Sequence, residues 1–374
     1  MKNKLARVVL IALFLAALYV PTLLWLTAGD KLAVENHENR TLAAWPDLKE
    51  TSISKLPGKI ESYYADHLPF RSQLIAGYAR LLRPLDASVV TTVGFGKDGW
   101  MFYTNPKDGD PIGSYRGEDL FSMAELRQIV VDLRRTRDNL KKQGIDFVLF
   151  IVPNKERVYS EYMADRYGEP AESYGTKQLV DFLRAHTDLK VVYAYEELMA
   201  AKEEFPDLPL YYKTDTHWNG LGAYVGARAL LRETGIELPA PTRDTITLID
   251  YSQRGDLSIL SHLEDAVEGD PTFNVEDAAR PAYTLETGED LMRHMGTGQS
   301  SGKKLYIKTD SFAGGMLPYI VPWFSETKSY FNELYEDEMV DEMQPDVFVQ
   351  VCVERYVEKW LTRGPLYTLP QDRQ

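Results

Sequence analysis

The chain has 374 residues, a net charge of −14 and a single cysteine. The acidic balance argues against nucleic acid as a partner, because neutralising phosphates needs clustered Lys and Arg. One cysteine excludes an intramolecular disulfide, so the fold must rest on a buried core, and a chain of this length can build one.

The first residues, MKNKLAR, are basic, and a nearly unbroken apolar run follows over 8–28. That length matches the ~20 residues a helix needs to cross a bilayer. A cleaved signal peptide has a shorter apolar region, ~7–15 residues, and a small-x-small cleavage site, of which the exit LTAGDK is a poor version. The reading is an uncleaved signal anchor with its basic end in the cytoplasm and the remainder exported. Residues 1–30 are then cytoplasmic stub and anchor, 31–69 a juxtamembrane connector that is polar and broken by prolines, and 70–374 the main domain.

Within that domain, 70–82 has helical apolar spacing, and SVVTTVGFGKDGWMFY carries the signals of a β-hairpin. A long helix is predicted over 122–143, stopped by Gly144. IDFVLFIVP is a continuous apolar run of strand length, as expected of a strand buried on both faces of a parallel sheet. A helix over 177–186 and a strand over 189–195 follow, then a helix GLGAYVGARALLRETG closed by Gly235. The stretch 244–302 is acidic and irregular and receives no assignment. A strand over 303–310, a turn and helix in SFAGGMLPYIVPWF, and a final strand and helix in PDVFVQVCVERYVEKWL complete the chain. Strand and helix alternate, which predicts an α/β fold with helices on both faces of a parallel sheet. Sites in such folds lie at the carboxyl ends of the strands.

Chemistry-bearing residues are few. Only six histidines are present, and one of them, His217, sits two residues after Asp215 in YYKTDTHWNGLGAY. In an extended chain the two side chains face the same way, so the carboxylate can accept an imidazole N–H. Such a pair is a structural hydrogen bond, part of a metal site, or the acid–base half of a triad. A metal site needs three or four ligands, and His37, His67, His186, His262 and His294 show no ligand spacing. Ser311, at the end of the strand KKLYIKTD and before Gly314 and Gly315, reads either as a helix N-cap or as a nucleophile beside backbone N–H groups. A serine nucleophile needs a neighbouring base, which Asp215 and His217 could supply. Cys352, within VFVQVCV, reads as a buried, inert thiol.

TDTHWNGLGAY resembles the signature of the DHHW proteins and the related AlgX/AlgJ group, SGNH-hydrolase-like proteins tied to O-acetylation of exported polysaccharides. Further blocks resemble that group in the same order: ENRTLAAWPDL, YYADHLPFRSQLI, VGFGKDGWMFY, FIVPNKERVYSEY, KTDSFAGGMLPYI and QPDVFVQVCVERYV. The resemblance implies an SGNH-hydrolase-like parallel sheet flanked by helices and preceded by a transmembrane helix. It implies catalytic roles for Asp215, His217 and Ser311, with the pair preceding the serine as in that group. Two departures are visible: Thr309-Asp310-Ser311 lacks the glycine of the usual Gly-Asp-Ser elbow, and Thr216 replaces the first His of Asp-His-His-Trp.

By the same resemblance the function is O-acetylation of an exported polysaccharide through an acetyl-serine. The alternatives are an acetylesterase using the same triad, and a non-catalytic scaffold or glycan-binding subunit of an export complex. A membrane-bound acyltransferase is implied as acetyl donor, with the main domain on the outer side of the inner membrane. No cofactor and no metal are expected. Asn154, Tyr319 and Trp218 are candidates for the oxyanion or substrate wall. Lys155 and Glu156 read as substrate contacts or a solvated turn, and Arg71 as a fold-holding partner of an acid.

Overall fold

The computed structural model describes residues 2–28, 41–300 and 302–373. The expected exit of the anchor and the first part of the connector, 29–40, lie outside the described residues. The described chain falls into two compact units, one of residues 1–90 and 258–267, the other of 91–257 and 268–374.

In the first unit the apolar run folds as helix α1 (Lys2–Ala28). Its stretch Lys4–Thr27 is long and apolar enough to cross a membrane. Two shorter helices follow, α2 (Leu56–Asp66) and α3 (Arg71–Leu82). The Tyr64 hydroxyl of α2 is hydrogen-bonded to that of Thr22, and its ring meets Trp25 edge-on with centroids 5.6 Å apart. Asp66 is buried and accepts the Ala43 N–H at 2.8 Å. Arg71 opens α3 and is half-buried.

The second unit begins with the predicted hairpin, β1 (Val93–Phe95) and β2 (Met101–Tyr103), paired antiparallel. Its turn needs left-handed backbone, supplied by Asp98 at φ 52° and Gly99 at φ 82°. Helix α4 (Pro111–Tyr115) leads to α5 (Met123–Lys142). A capping box starts α5: Ser122 Oγ accepts the Glu125 N–H while Glu125 accepts the Ser122 N–H. Next come β3 (Asp146–Val152), the single turn α6 (Lys155–Val158), α7 (Gly175–His186), β4 (Lys190–Tyr193) and α8 (Tyr195–Glu204). Helix α9 (Gly220–Glu233) is capped by Asn219, whose amide oxygen accepts the N–H groups of Leu221 and Gly222.

The unassigned segment 244–302 holds four strands: β5 (Ile246–Gln253), β6 (Asp270–Val275), β7 (Tyr283–Thr287) and β8 (Arg293–Gly298). Then follow β9 (Lys304–Thr309), α10 (Ala313–Ile320), β10 (Glu326–Phe331), α11 (Asp337–Met343), β11 (Val347–Val353) and α12 (Val357–Leu361).

Seven strands make the central sheet in the order β4-β3-β11-β9-β10-β8-β7. The first five run parallel, whereas β8 pairs antiparallel with β10 and β7 with β8. The parallel sheet expected from the sequence is therefore present over five strands and becomes mixed through an added antiparallel edge. The two added strands are polar and largely exposed, as an antiparallel edge facing water can be. β10 also escaped prediction, because its buried side chains include Thr327 and Ser329 rather than an apolar run.

The apolar strands behave as their sequence requires. In β3, Val148, Phe150 and Val152 enter the core on one face of the sheet, and Phe147, Leu149 and Ile151 the core on the other. β11 alternates likewise, and Cys352 is buried with its thiol pKa pushed up by burial. Helices α9 and α10 contribute Leu221, Tyr224 and Met316 to the first core, while α5 and α7 contribute Leu133 and Leu179 to the second.

Candidate active site

The Asp-Thr-His turn precedes α9 and is closed by a backbone bridge between Tyr211 and Trp218. The Tyr212 N–H donates to the His217 carbonyl at 3.2 Å, and the Asn219 N–H to the Leu210 carbonyl at 2.8 Å. Within this frame Asp215 Oδ1 accepts both the backbone N–H of His217, at 2.9 Å, and its ring Nδ1, at 2.6 Å. The backbone contact fixes the carboxylate, and the ring contact puts the proton on Nδ1, leaving Nε2 free to accept.

Two buried side chains hold the turn from behind. Lys155 Nζ donates to the carbonyls of Tyr212 and Lys213, each at 3.2 Å, and of Asp215 at 2.5 Å. Burial pushes its ammonium down to about 8, against the pull of Glu156, Asp256, Asp215 and Asp270. Asp270, on β6, accepts the N–H groups of Lys213 and Thr214 at 2.8 Å and the Thr214 hydroxyl at 2.5 Å. Lys155 is thus buried rather than a solvated turn residue, and its ammonium binds three carbonyls of the turn, of which that of Lys213 also accepts the Met101 N–H. Glu156 is buried too, accepting the Tyr103 N–H at 3.0 Å, and burial raises its pKa.

Ser311 follows the end of β9 and is exposed. Asp310 before it is buried, its two oxygens accepting the N–H groups of Phe312 (3.1 Å) and Val353 (2.7 Å). These bonds tie the strand-to-helix turn to the end of β11. Burial raises the Asp310 pKa. Phe312, not Ser311, occupies the N-cap position of α10. The serine hydroxyl instead lies 2.6 Å from His217 Nε2, so Asp215, His217 and Ser311 form one hydrogen-bonded line.

Trp218 joins the two halves: its indole N–H donates to the Phe312 carbonyl at 3.1 Å, while its ring presses on Gly226 of α9. A Cβ at position 226 would come within 2.7 Å of that ring.

The sequence reading missed a second acid. Asp256 Oδ1 accepts the Thr216 N–H at 2.8 Å, Oδ2 accepts the Thr216 hydroxyl at 2.6 Å, and the Asp256 N–H donates to Asp215 Oδ2 at 2.9 Å. Its Oδ2 is 3.8 Å from His217 Nδ1. Gly255 permits this approach, since a Cβ there would lie 2.0 Å from the Thr214 carbonyl oxygen. Burial works to raise the Asp215 pKa, but the His217 ring and the N–H groups of Asp256 and His217 prevail and hold it down at about 2. Asp256 is pushed the other way by burial and by the charge of Asp215. For His217, desolvation lowers the pKa, yet Asp215 and Asp256 outweigh it and the pKa is raised.

Asp215, His217 and Asp256 offer ligand atoms within 4.8 Å of one another. All four carboxylate oxygens, however, already accept N–H or O–H donors, so a cation there would have to displace a satisfied hydrogen-bond network.

Ser311 and His217 open onto a cavity of about 520 Å³ walled by Tyr212, Trp218, Asn274, His294, Tyr319 and Phe331. Of the three candidates for the oxyanion or substrate wall, Trp218 and Tyr319 are therefore at the cavity. The Tyr319 hydroxyl is held by the Val275 N–H at 3.3 Å and by Asn274 Oδ1 at 3.4 Å. Asn154 is buried away from the lining, its amide oxygen accepting the Arg355 N–H and its own N–H donating to Glu354. Its role here is to tie the end of β3 to the end of β11.

Residues 93–271 match the family model described as SGNH hydrolase-like domain, acetyltransferase AlgX. The matched stretch includes Asp215, His217 and Asp256 and stops short of Ser311. The chain is 26% identical over 253 residues to the probable alginate O-acetylase AlgJ of Pseudomonas aeruginosa, covering 66% of this chain and 59% of that protein. It is 32% identical over 139 residues to the probable alginate O-acetylase AlgJ of Pseudomonas putida, covering 37% and 32%. The matches thus span less than two thirds of these relatives' own lengths. Among solved structures, Bacillus cereus PatB1, determined with a sulfonyl adduct, aligns at a TM-score of 0.52 and 13% identity over 73% of this chain and 99% of that one.

Proposed function

We propose that this chain, whose residues 93–271 match the AlgX-type SGNH hydrolase-like domain, O-acetylates an exported polysaccharide, with Ser311 as nucleophile, His217 as base and Asp215 as the orienting acid. The observation that carries the reading is the unbroken hydrogen-bonded line Asp215–His217–Ser311 at the mouth of an aromatic-walled cavity.

The chemistry follows from the geometry. His217 Nε2 takes the hydroxyl proton as Ser311 Oγ attacks the acetyl carbonyl of a donor, and Asp215 stabilises the imidazolium that forms. The leaving group takes that proton as the tetrahedral adduct collapses to an acetyl-serine. A sugar hydroxyl then enters, gives its proton to Nε2, and receives the acetyl group as Ser311 Oγ departs and is reprotonated. The aromatic wall suits the apolar faces of sugar rings, and Asn274 and Tyr319 offer polar partners for hydroxyls.

The AlgJ relatives, named as probable alginate O-acetylases, support polysaccharide as the acceptor class. The apolar helix α1 supports an inner-membrane anchor with the main domain exported, where a membrane-bound acyltransferase would supply acetyl groups.

The test is p-nitrophenyl acetate turnover by the full chain in detergent. Nitrophenol release by the wild type and its loss in Ser311→Ala and His217→Ala are expected. Equal release by all three would leave a glycan-binding or scaffold subunit. Adding an oligosaccharide acceptor sorts transfer from hydrolysis: acetyl mass on the sugar is expected, and turnover without it would indicate an acetylesterase.

A further inference from the structure

Behind the Asp215–His217–Ser311 line stands a carboxylate that the triad chemistry does not use. Asp256 comes from the segment the sequence left unassigned, and nothing in that stretch's periodicity marks it. Yet both its carboxylate oxygens and its backbone N–H are directed at the Asp-Thr-His turn. Its two oxygens grip the N–H and hydroxyl of Thr216, its own N–H caps the free oxygen of Asp215, and Oδ2 lies 3.8 Å from the His217 ring nitrogen that faces Asp215. The Thr216 hydroxyl is also 3.3 Å from that nitrogen, so it touches both the second acid and the ring.

We propose that Asp256 is a positioning residue for His217: it clamps the turn through Thr216 and sets a second negative charge beside the face of the imidazole that Asp215 already holds. The inference rests on the triad reading above, because it assigns Asp256 its effect through the base that activates Ser311.

A purely structural clamp and a charge acting on the ring differ in what they predict. A clamp fixes geometry, so its loss lowers the rate at every pH alike. A second carboxylate stabilises the imidazolium, so the histidine gives up its proton only at higher pH and is a stronger base when it does. The other charged groups acting here are Asp215, which favours the imidazolium, and Arg355, which opposes it. Lys155 and Asp310 complete the set: Lys155 feels both carboxylates, and Asp310 feels the imidazole. Of the carboxylates in this set, Asp215 belongs to the triad and Asp310 braces the serine turn, which leaves Asp256. The Asp256 side chain is 38% exposed, which tempers its effect through solvent screening.

The experiment is the rate of sulfonylation of Ser311 by phenylmethylsulfonyl fluoride, followed by intact mass on the full chain in detergent from about pH 5 to 9. In that reaction Ser311 Oγ bonds to sulfur, fluoride leaves, and the hydroxyl proton passes to His217; no acetyl donor or sugar is needed. Ser311→Ala identifies the modified site. In the wild type the rate rises with pH as His217 loses its proton. In Asp256→Asn the midpoint of that rise moves to lower pH, by about 0.5–1 unit for a partly exposed charge at this distance.

A profile for Asp256→Asn that rises at the wild-type midpoint overturns the proposal, even if its plateau is lower. Thr216→Val keeps the charge and removes the hydroxyl link. It is expected to slow the plateau several-fold while leaving the midpoint near that of the wild type. Should Asp256→Asn fail to fold by circular dichroism, Thr216→Val decides: an unchanged plateau overturns the clamp. If wild-type Ser311 takes no sulfonyl group at any pH, the triad reading falls and this inference with it. If it does and only the Asp256→Asn shift is missing, the triad stands and Asp256 is structural.

Discussion

The parallel strands β3 and β11 and the polar stretches 244–257 and 268–300 build the same unit by opposite means. β3 and β11 are apolar on both faces and buried almost throughout, and their position in the sheet follows from that alone. β7 and β8 are polar and mostly exposed, and they hold their place through backbone pairing on the edge beyond β10. Yet the polar segment sends Asp256 and Asp270 behind the Asp-Thr-His turn and His294 and Asn274 to the cavity wall. The apolar half carries the fold's stability, while the polar half tunes the site that the apolar half presents. Burial and influence on chemistry are therefore distributed differently along this chain.

Substitutions in the two halves can break that comparison. The largest effect is expected at the serine: Ser311→Ala should lower p-nitrophenyl acetate turnover by at least about 10³-fold. Because Ser311 is exposed, its urea unfolding midpoint should stay where the wild type's is.

Phe150→Ala in β3 should behave in reverse. Removing a fully buried ring costs about 3–5 kcal/mol of stability in denaturant titrations. The activity of the molecules that remain folded should be close to normal. A Phe150→Ala protein of unchanged stability would refute the claim that this half carries the core.

Asp270→Ala should show both effects in smaller measure. Three donors of the turn lose a buried acceptor, which costs about 2–3 kcal/mol, and a loosened base should slow turnover by about 10–100-fold. Loss of stability with full activity would mean that Asp270 does not hold the turn in its working shape.

The pH profile of the wild type sharpens the same point. His217 must be neutral to accept the serine proton, and its pKa is raised above the ordinary 6.5 by Asp215 and Asp256. Turnover should therefore rise with pH through a midpoint above 6.5 and be lost below it; a midpoint under 6.5 would contradict the electrostatics of the turn. The smallest effect is expected at Thr284→Val on the exposed face of β7–β8, where stability should change by no more than about 0.5 kcal/mol.

How much of this was legible beforehand depended on the kind of signal. The capping box Ser122–Glu125, the left-handed Gly144 after α5 and the buried alternation of β3 are local, and each could be read from neighbouring residues. So could Asp215 and His217, which meet because two residues of extended chain suffice. Ser311 was legible as a strand-end serine, although its partner is 94 positions away in sequence. Lys155 was misread because PNKER looks like a solvated turn. Only its carbonyl partners, contributed by a distant loop, justify burying it. Strand β10 was missed because its buried threonine and serine carry no apolar period.

The sequence by itself determined the apolar helix near the N-terminus, the alternation of strand and helix, the two-faced burial of the central strands, and the pairing of an acid with a histidine ahead of a strand-end serine. Hydrophobic periodicity and short-range hydrogen bonding specify all of these, and both act over a few residues. Tertiary structure alone decided that β7 and β8 turn the sheet mixed, that Lys155 and Asp270 hold the turn, that Asn154 points away from the cavity, and that Asp256 stands beside His217. The contacts of Lys155, Asp270 and Asp256 reach across 40 to 60 residues of chain, and those of Asn154 across 200. A buried charge needs such a partner wherever it lies in sequence, and no local pattern records where that will be.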